Sequence, residues 1–141
     1  MDEAALLRAS ERERALYEEL GAAYRGLAAA LGDETTPVDP AGVAAHQHRA
    51  EDAVEALRTV SAAVAPRRLS GAPVAPDVQQ RWRESARLAA AALEANRELG
   101  ALARARQALL AARLARLGEG RRALAGYRPA ATVGRGGAQR A

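Results

Sequence analysis

The sequence contains no cysteine and no phenylalanine, and isoleucine and lysine are absent as well. Without cysteine, a disulfide framework, a thiolate metal site and a cysteine nucleophile are all excluded. Hydrophobic residues make up 49% of the chain, but 39 of them are alanine and only 30 are larger: 17 Leu, 8 Val, 3 Tyr, 1 Trp and 1 Met. Sheets need branched and aromatic side chains, whereas Ala, Leu, Arg and Glu favour helices. The composition therefore predicts an all-α fold.

Long apolar runs are also missing from the chain. No stretch of about 18 apolar residues is free of charge, so no segment is predicted to span a bilayer. The start, Met1-Asp2-Glu3, lacks the basic and apolar regions of a secretory signal. A cytoplasmic location is expected, and a length of 141 residues predicts one domain, or one domain with a tail.

The net charge of +4 is unevenly distributed along the chain. Residues 1–66 carry 12 acids against 6 arginines (−6), residues 67–98 carry +2, and residues 99–141 carry 9 arginines against 1 glutamate (+8). One interpretation is that an acidic front half packs beside a basic back half. The other is that a basic arm binds an acidic partner, nucleic acid or anionic lipid.

Apolar residues spaced alternately by four and three predict a first helix over about residues 3–31. Its seam consists of Leu6, Ser10, Glu13, Tyr17, Leu20, Tyr24, Leu27 and Leu31. Gly32 is expected to end this helix in a left-handed conformation.

Two further helices are predicted, over about residues 40–64 and 77–117. The second can begin at Thr36 or at Asp39, each of which precedes a proline, and it is expected to end before Pro66. The third begins with a capping box from Asp77 to Gln80 and continues to Gly118. The predicted organisation is an antiparallel three-helix bundle over residues 1–118, in which part of the longer third helix is left uncovered, and a flexible basic tail over 119–141.

One face of the third helix combines leucines with arginines. On a helical wheel, Arg106 and Arg113 share a broad sector with Leu88, Ala92, Leu99, Leu102, Leu109, Leu110, Leu114 and Leu117. A buried unpaired charge is very costly, so an ordinary core stripe does not explain this face. The arginines either extend from its edge, pair with an acid such as Glu13, or stay exposed until an acidic partner binds.

No arrangement typical of an enzyme is present, and no catalytic residue, cofactor or metal site is expected. His46 and His48 point about 200° apart on a helix, so they cannot share a metal and are interpreted as solvated. Trp82 is expected to pack against the end of the second helix rather than to anchor a partner.

Nucleic-acid binding would depend on the arginines of the C-terminal tail, which are Arg121, Arg122, Arg128, Arg135 and Arg140. Arginines separated by glycines can contact phosphates, but only Tyr127 is placed among them to stack on a base. The pattern therefore favours nucleic-acid binding only weakly.

Three features resemble the flagellar export chaperones of the FlgN type. Two amphipathic helices of about 30 and 25 residues precede a longer third helix. The segment Leu93-Glu-Ala-Asn96-Arg-Glu-Leu99 is similar to the asparagine-rich stretch of that family. The end of the chain, Ala125-Gly126-Tyr127 followed by Gly134, resembles its closing tyrosine–glycine signature.

The resemblance implies a cytoplasmic chaperone that binds the disordered C-terminal helical segment of hook-filament junction proteins. It also implies delivery of these clients to the export gate and its ATPase components, with Tyr127 as the gate-docking residue. The implied client-binding residues are Asn96, Leu99, Leu102, Arg106, Leu109, Leu110, Arg113, Leu114 and Leu117. Two alternatives remain: a homodimeric coiled-coil structural or adaptor protein, and a nucleic-acid binder that uses its arginine tail.

Overall fold

The computed structural model describes residues 1–127, which form three helices and no strand. They are α1 (Glu3–Gly32), α2 (Pro40–Leu69) and α3 (Pro76–Gly126). The all-α prediction is confirmed. The chain divides into two units, Met1–Ala103 and Arg104–Ala141. The first contains α1, α2 and the beginning of α3, whereas the predicted bundle extended to residue 118.

Aspartate side chains form both ends of α1. Asp2 is the N-cap, and its carboxylate accepts a hydrogen bond of 2.7 Å from the backbone N–H of Ala5. Asp33 follows the helix, and hydrogen bonds from Thr35 and Thr36 lower the pKa of its carboxyl to about 2. The prediction of a left-handed Gly32 is wrong, because Gly71 is the only described residue with a positive φ. The Asp33 turn ends α1 without one.

The N-terminus of α2 uses the second of the two predicted start signals. Asp39 is the N-cap, and its carboxylate accepts hydrogen bonds from the backbone N–H groups of Ala41 and Gly42. The predicted end before Pro66 is wrong, because α2 continues to Leu69. Pro66 donates no backbone hydrogen bond, but its carbonyl accepts one of 3.1 Å from Ser70. The ion pair of Arg68 with Glu13 and its contact with the Trp82 ring stabilise this extension.

The third helix is longer than the sequence predicts. It begins at Pro76, so Asp77 lies in the first turn instead of capping the helix. The predicted end at Leu117 is wrong, because α3 continues through Gly118 and Gly120 to Gly126. A glycine inside a helix costs about 1 kcal/mol relative to alanine but does not terminate it. Residues 119–126 of the predicted tail are therefore helical, and residues 128–141 lie outside the described part.

The core of the first unit is built mainly from leucine and alanine. The α1 helix packs antiparallel to α2 and parallel to α3, around Leu16, Leu20, Ala23, Ala50, Ala53, Leu57 and Ala92. A second cluster of Leu6, Val64 and Val78 lies where α2 ends and α3 begins. Because alanine side chains are short, the helices approach one another closely where they meet.

A polar network crosses the bundle between these two clusters. The side chain of Glu13 is only 1% exposed. Its Oε2 accepts a hydrogen bond of 2.6 Å from Arg68, and its Oε1 accepts one of 2.8 Å from Ser61. The Arg68 guanidinium also lies 5.0 Å from the centre of the Trp82 ring. Glu13, a possible partner of Arg106 or Arg113 by the sequence, is bound by α2 instead.

Trp82 connects the same network to α1. Its indole Nε1 donates a hydrogen bond of 2.9 Å to the hydroxyl of Ser10, and its ring packs against the cluster that contains Val64. The predicted packing of Trp82 against the end of α2 is confirmed.

Ion pairs also join α3 to α1. Arg81 lies 3.8 Å from Glu11, and Arg14 lies 3.8 Å from Glu84. Hydrogen bonds from Gln80 and Arg81 lower the pKa of Glu84, and the charges of Arg81 and Arg14 add to this effect.

Replacing Arg68 with alanine should leave the buried Glu13 carboxylate without its cation. We expect Arg68→Ala to lower the free energy of unfolding by about 2 kcal/mol, because the Glu13 carboxylate would stay buried without a compensating positive charge. The measurement is urea unfolding followed by the fluorescence of Trp82.

The matched control is Arg58→Ala, which removes an arginine of the same helix whose partner Glu55 is exposed. This change should cost less than about 0.5 kcal/mol, because exposed ion pairs contribute little. Equal losses for the two variants would contradict the structural role assigned to Arg68.

Candidate functional site

Five leucines lie on one face of α3 in the second unit, and four of them are exposed. We name them the leucine ridge: Leu109, Leu110, Leu114, Leu117 and Leu124. Their spacing places them on the same side of the helix. Leu110 is 49% exposed, Leu114 68%, Leu117 65% and Leu124 75%. An apolar face of this length that stays in contact with water is typical of a binding surface.

The leucine ridge lies in strongly basic surroundings. Residues 104–127 contain six arginines and one acid, Glu119, which gives a net charge of +5. Arg113 and Arg121 lie on the same face of the helix as the leucines. A partner that covers this face must therefore offer apolar side chains together with negative charge.

Tyr127 follows directly after the last helical residue. Its backbone N–H donates a hydrogen bond of 3.0 Å to the carbonyl of Ala123, so it continues the last turn of α3. Its side chain is exposed and lies three positions after Leu124, on the ridge side of the helix.

The structure places the other predicted client-binding residues in different surroundings. Leu99 and Leu102 are half-buried in the first unit, and Arg106 is half-buried in the second, as is Leu109 at the start of the ridge. Asn96 is exposed and lines a groove of the bundle together with Leu93. The leucines of the ridge thus share one helical face, while Asn96 belongs to a different surface.

Sequence reasoning missed Leu124 and Arg121 as members of this face. Both were assigned to the tail because the helix was expected to end at Gly118. The signal was present, since positions 110, 114, 117, 121 and 124 keep the four–three spacing across that glycine.

A second exposed apolar surface lies in the first unit, along α1. We name it the tyrosine groove, because Tyr17 and Tyr24 connect its three sections. Two sections lie between α1 and α3, with volumes of about 190 and 160 Å³. The third lies between α1 and α2 and has a volume of about 420 Å³.

Small apolar side chains form much of the tyrosine groove, with a few polar groups among them. Ala86 and Ala89 of α3 line the side opposite Tyr17, and Glu51 and Glu55 of α2 line the side opposite Tyr24. The hydroxyl of Ser85 is buried at this surface without a hydrogen-bond partner. Leu93 and Val54 are exposed along the groove.

The histidines do not form a metal centre. Within residues 1–127, no group of three potential metal-ligating side chains comes together. His46 is half-buried instead of solvated, because its ring packs over Gly26. A Cβ at position 26 would lie 2.5 Å from this ring, so the glycine provides the space that His46 occupies.

Over the described part of the chain, none of the helices has the length and apolar character needed to cross a bilayer. Comparison with known protein families, with curated proteins and with solved structures finds no match for this chain.

Polar substitutions on the leucine ridge should leave the stability of the fold unchanged. We expect the double change Leu114→Glu/Leu117→Glu to alter the free energy of unfolding by less than about 0.5 kcal/mol, because both side chains are exposed and glutamate has similar helix propensity. Thermal unfolding of dilute protein, at about 5 μM, followed by circular dichroism measures the effect without a contribution from association.

The buried counterpart is Leu16→Ala in α1, where the side chain is 1% exposed. This substitution should cost about 2–5 kcal/mol through lost burial and a residual cavity. A comparable loss from the ridge variant would mean that the leucine ridge is packed in the folded protein.

Proposed function

We propose that this protein is a flagellar export chaperone of the FlgN type. In this proposal the chain acts in the cytoplasm, where its leucine ridge binds the disordered C-terminal helical segment of hook-filament junction proteins. The observation that carries the proposal is the exposure of Leu110, Leu114, Leu117 and Leu124 on one helical face. The resemblance of Leu93–Leu99 and of Tyr127 to the family's motifs supports the same function.

A second helix is the occupant that suits the leucine ridge best. Leucines spaced by three and four residues contact an amphipathic helix, which presents its own apolar residues at the same period. A client segment that is disordered beforehand loses conformational entropy when it binds. The apolar area that the ridge provides would offset this cost and would keep the segment from aggregating.

The basic residues give the site a preference among amphipathic helices. Arg113 and Arg121 would face the client along with the leucines, so a client with carboxylates beside its apolar stripe is favoured. Because the arginines of residues 104–127 outnumber the acids six to one, encounter with an acidic segment would also be accelerated.

Tyr127 is the residue that we assign to the export gate. Its exposed ring follows the leucine ridge at the end of α3, beyond the last leucine. Tyrosine combines a large apolar ring with a hydroxyl and is common among residues that dominate interfaces.

Client binding tests the proposal directly. The probes are the C-terminal segments of the hook-filament junction proteins encoded in the same genome, titrated into the full chain by calorimetry. We expect a 1:1 complex, and we expect Leu114→Glu/Leu117→Glu to weaken it by at least about 10-fold, because two charges enter the apolar contact.

The matched control is Leu69→Glu, which changes a leucine that is 84% exposed at the end of α2. This variant should bind the segments as the unchanged chain does. The proposal fails if none of the segments binds, or if the ridge variant binds them as tightly as the control.

Client binding and gate docking should be separable at Tyr127. We expect Tyr127→Ala to leave the affinity for the client segment within about twofold, while binding to the cytosolic domain of the export gate falls by at least about 10-fold. Tyr127→Phe, which keeps the ring, should retain most of the gate binding. Equal effects on both partners would show that Tyr127 belongs to the client site.

A further inference from the structure

The tyrosine groove has the length of a short helix. Its lining on α1 extends from Glu13 to Leu27, which corresponds to about 21 Å of helix. The leucine ridge extends from Leu109 to Leu124 and covers about 23 Å by the same measure. The two apolar surfaces of the chain therefore match in length.

Their shapes are complementary as well. Ala86 and Ala89 of α3 line the groove with short side chains, and Tyr17 and Tyr24 of α1 line it with large ones. Large residues of one helix insert between small residues of its neighbours when helices pack. The leucines of the ridge are the exposed large residues that suit such a surface.

Charge distinguishes between the possible pairings of these surfaces. Residues 1–103 carry 16 acids and 12 arginines, a net charge of −4. The groove lining itself contains three acids and two arginines, a net charge of −1, and Arg58 and Arg68 are paired with Glu55 and Glu13 there, so Glu51 is its one acid without such a pairing to an arginine of the lining. Residues 104–127 carry +5. Two ridges packed against each other would bring two basic segments together, whereas a ridge in a groove joins a basic segment to a unit of net negative charge.

We propose that, in the absence of a client, the leucine ridge of one copy of this chain lies in the tyrosine groove of a second copy. This inference rests on the proposed function, because the second copy would compete with the client for the ridge. Client and second copy cover the same leucines, so each excludes the other. The contact is heterologous, because it joins different surfaces of the two copies, and each unchanged chain keeps a second surface with which it can bind a further copy.

Two single-surface variants test this pairing by complementation. Leu114→Glu/Leu117→Glu disables the ridge and leaves the groove intact. Ala86→Arg/Leu93→Arg places positive charge at two exposed positions of the groove and leaves the ridge intact. We expect each variant alone to be a monomer at about 100 μM by sedimentation equilibrium, where the unchanged chain self-associates.

Mixing the two variants should restore association, because one supplies an intact ridge and the other an intact groove. The expected product is a 1:1 heterodimer, with an affinity within about 10-fold of that of the unchanged chain. Leu69→Glu lies outside both surfaces and should associate normally. Circular dichroism of each variant verifies that it is folded.

Three results would overturn the inference. They are an unchanged chain that stays monomeric, a groove variant that still associates by itself, and a mixture of the two variants that stays monomeric. The second result would indicate ridge-to-ridge pairing. The client titration separates this inference from the proposed function. If the chain binds client but never self-associates, only the inference is wrong. If mixing the variants restores association but no client binds, only the chaperone function is wrong.

Discussion

The buried carboxylate of Glu13 constrains the arrangement of the first unit. A charge that is 1% exposed must be matched by a cation and by hydrogen bonds, and α2 supplies both through Arg68 and Ser61. Arg68 reaches Glu13 from the last turn of α2, so this turn has to remain helical beyond Pro66. The same guanidinium lies over Trp82, whose indole bonds to Ser10. One charge thereby sets the axial positions of all three helices.

This constraint matters because the apolar core alone does little to fix the axial alignment of the helices. Ala50, Ala53 and Ala92 fill the space between helices that carry no phenylalanine or isoleucine. Short side chains interdigitate shallowly, so several axial offsets would bury similar apolar area. A thin core also covers α1 incompletely, which is why Tyr17 and Tyr24 remain at an open groove. The polar network and the groove thus have a common origin in the alanine-rich composition.

The parts of this architecture that depend on local spacing could be predicted from the sequence, and the parts that depend on distant contacts could not. The four–three spacing of leucines identified three helices and the exposed face of the third, because it reflects only the period of the helix. Pro66 and Gly118 predict helix ends, because both residues disfavour a helix locally. The ion pair between Arg68 and Glu13 stabilises the turn of α2 that follows the proline. The tyrosine groove was missed because it exists only where three helices meet. The gate and client roles of Tyr127 and of the ridge came from resemblance, and the structure supplies for them only exposed side chains on a helical face.

A ridge shared by a client and a second copy would make client affinity depend on protein concentration. The apparent dissociation constant equals the intrinsic one divided by the fraction of chains whose ridge is open. With one ridge in ten open, affinity falls about 10-fold, or about 1.4 kcal/mol. By linkage, a client that binds the ridge lowers the affinity of the copies for one another. The contact between copies would therefore cover the apolar ridge while no client is present. A tightly binding client would release each chain as a monomer with its tyrosine groove open.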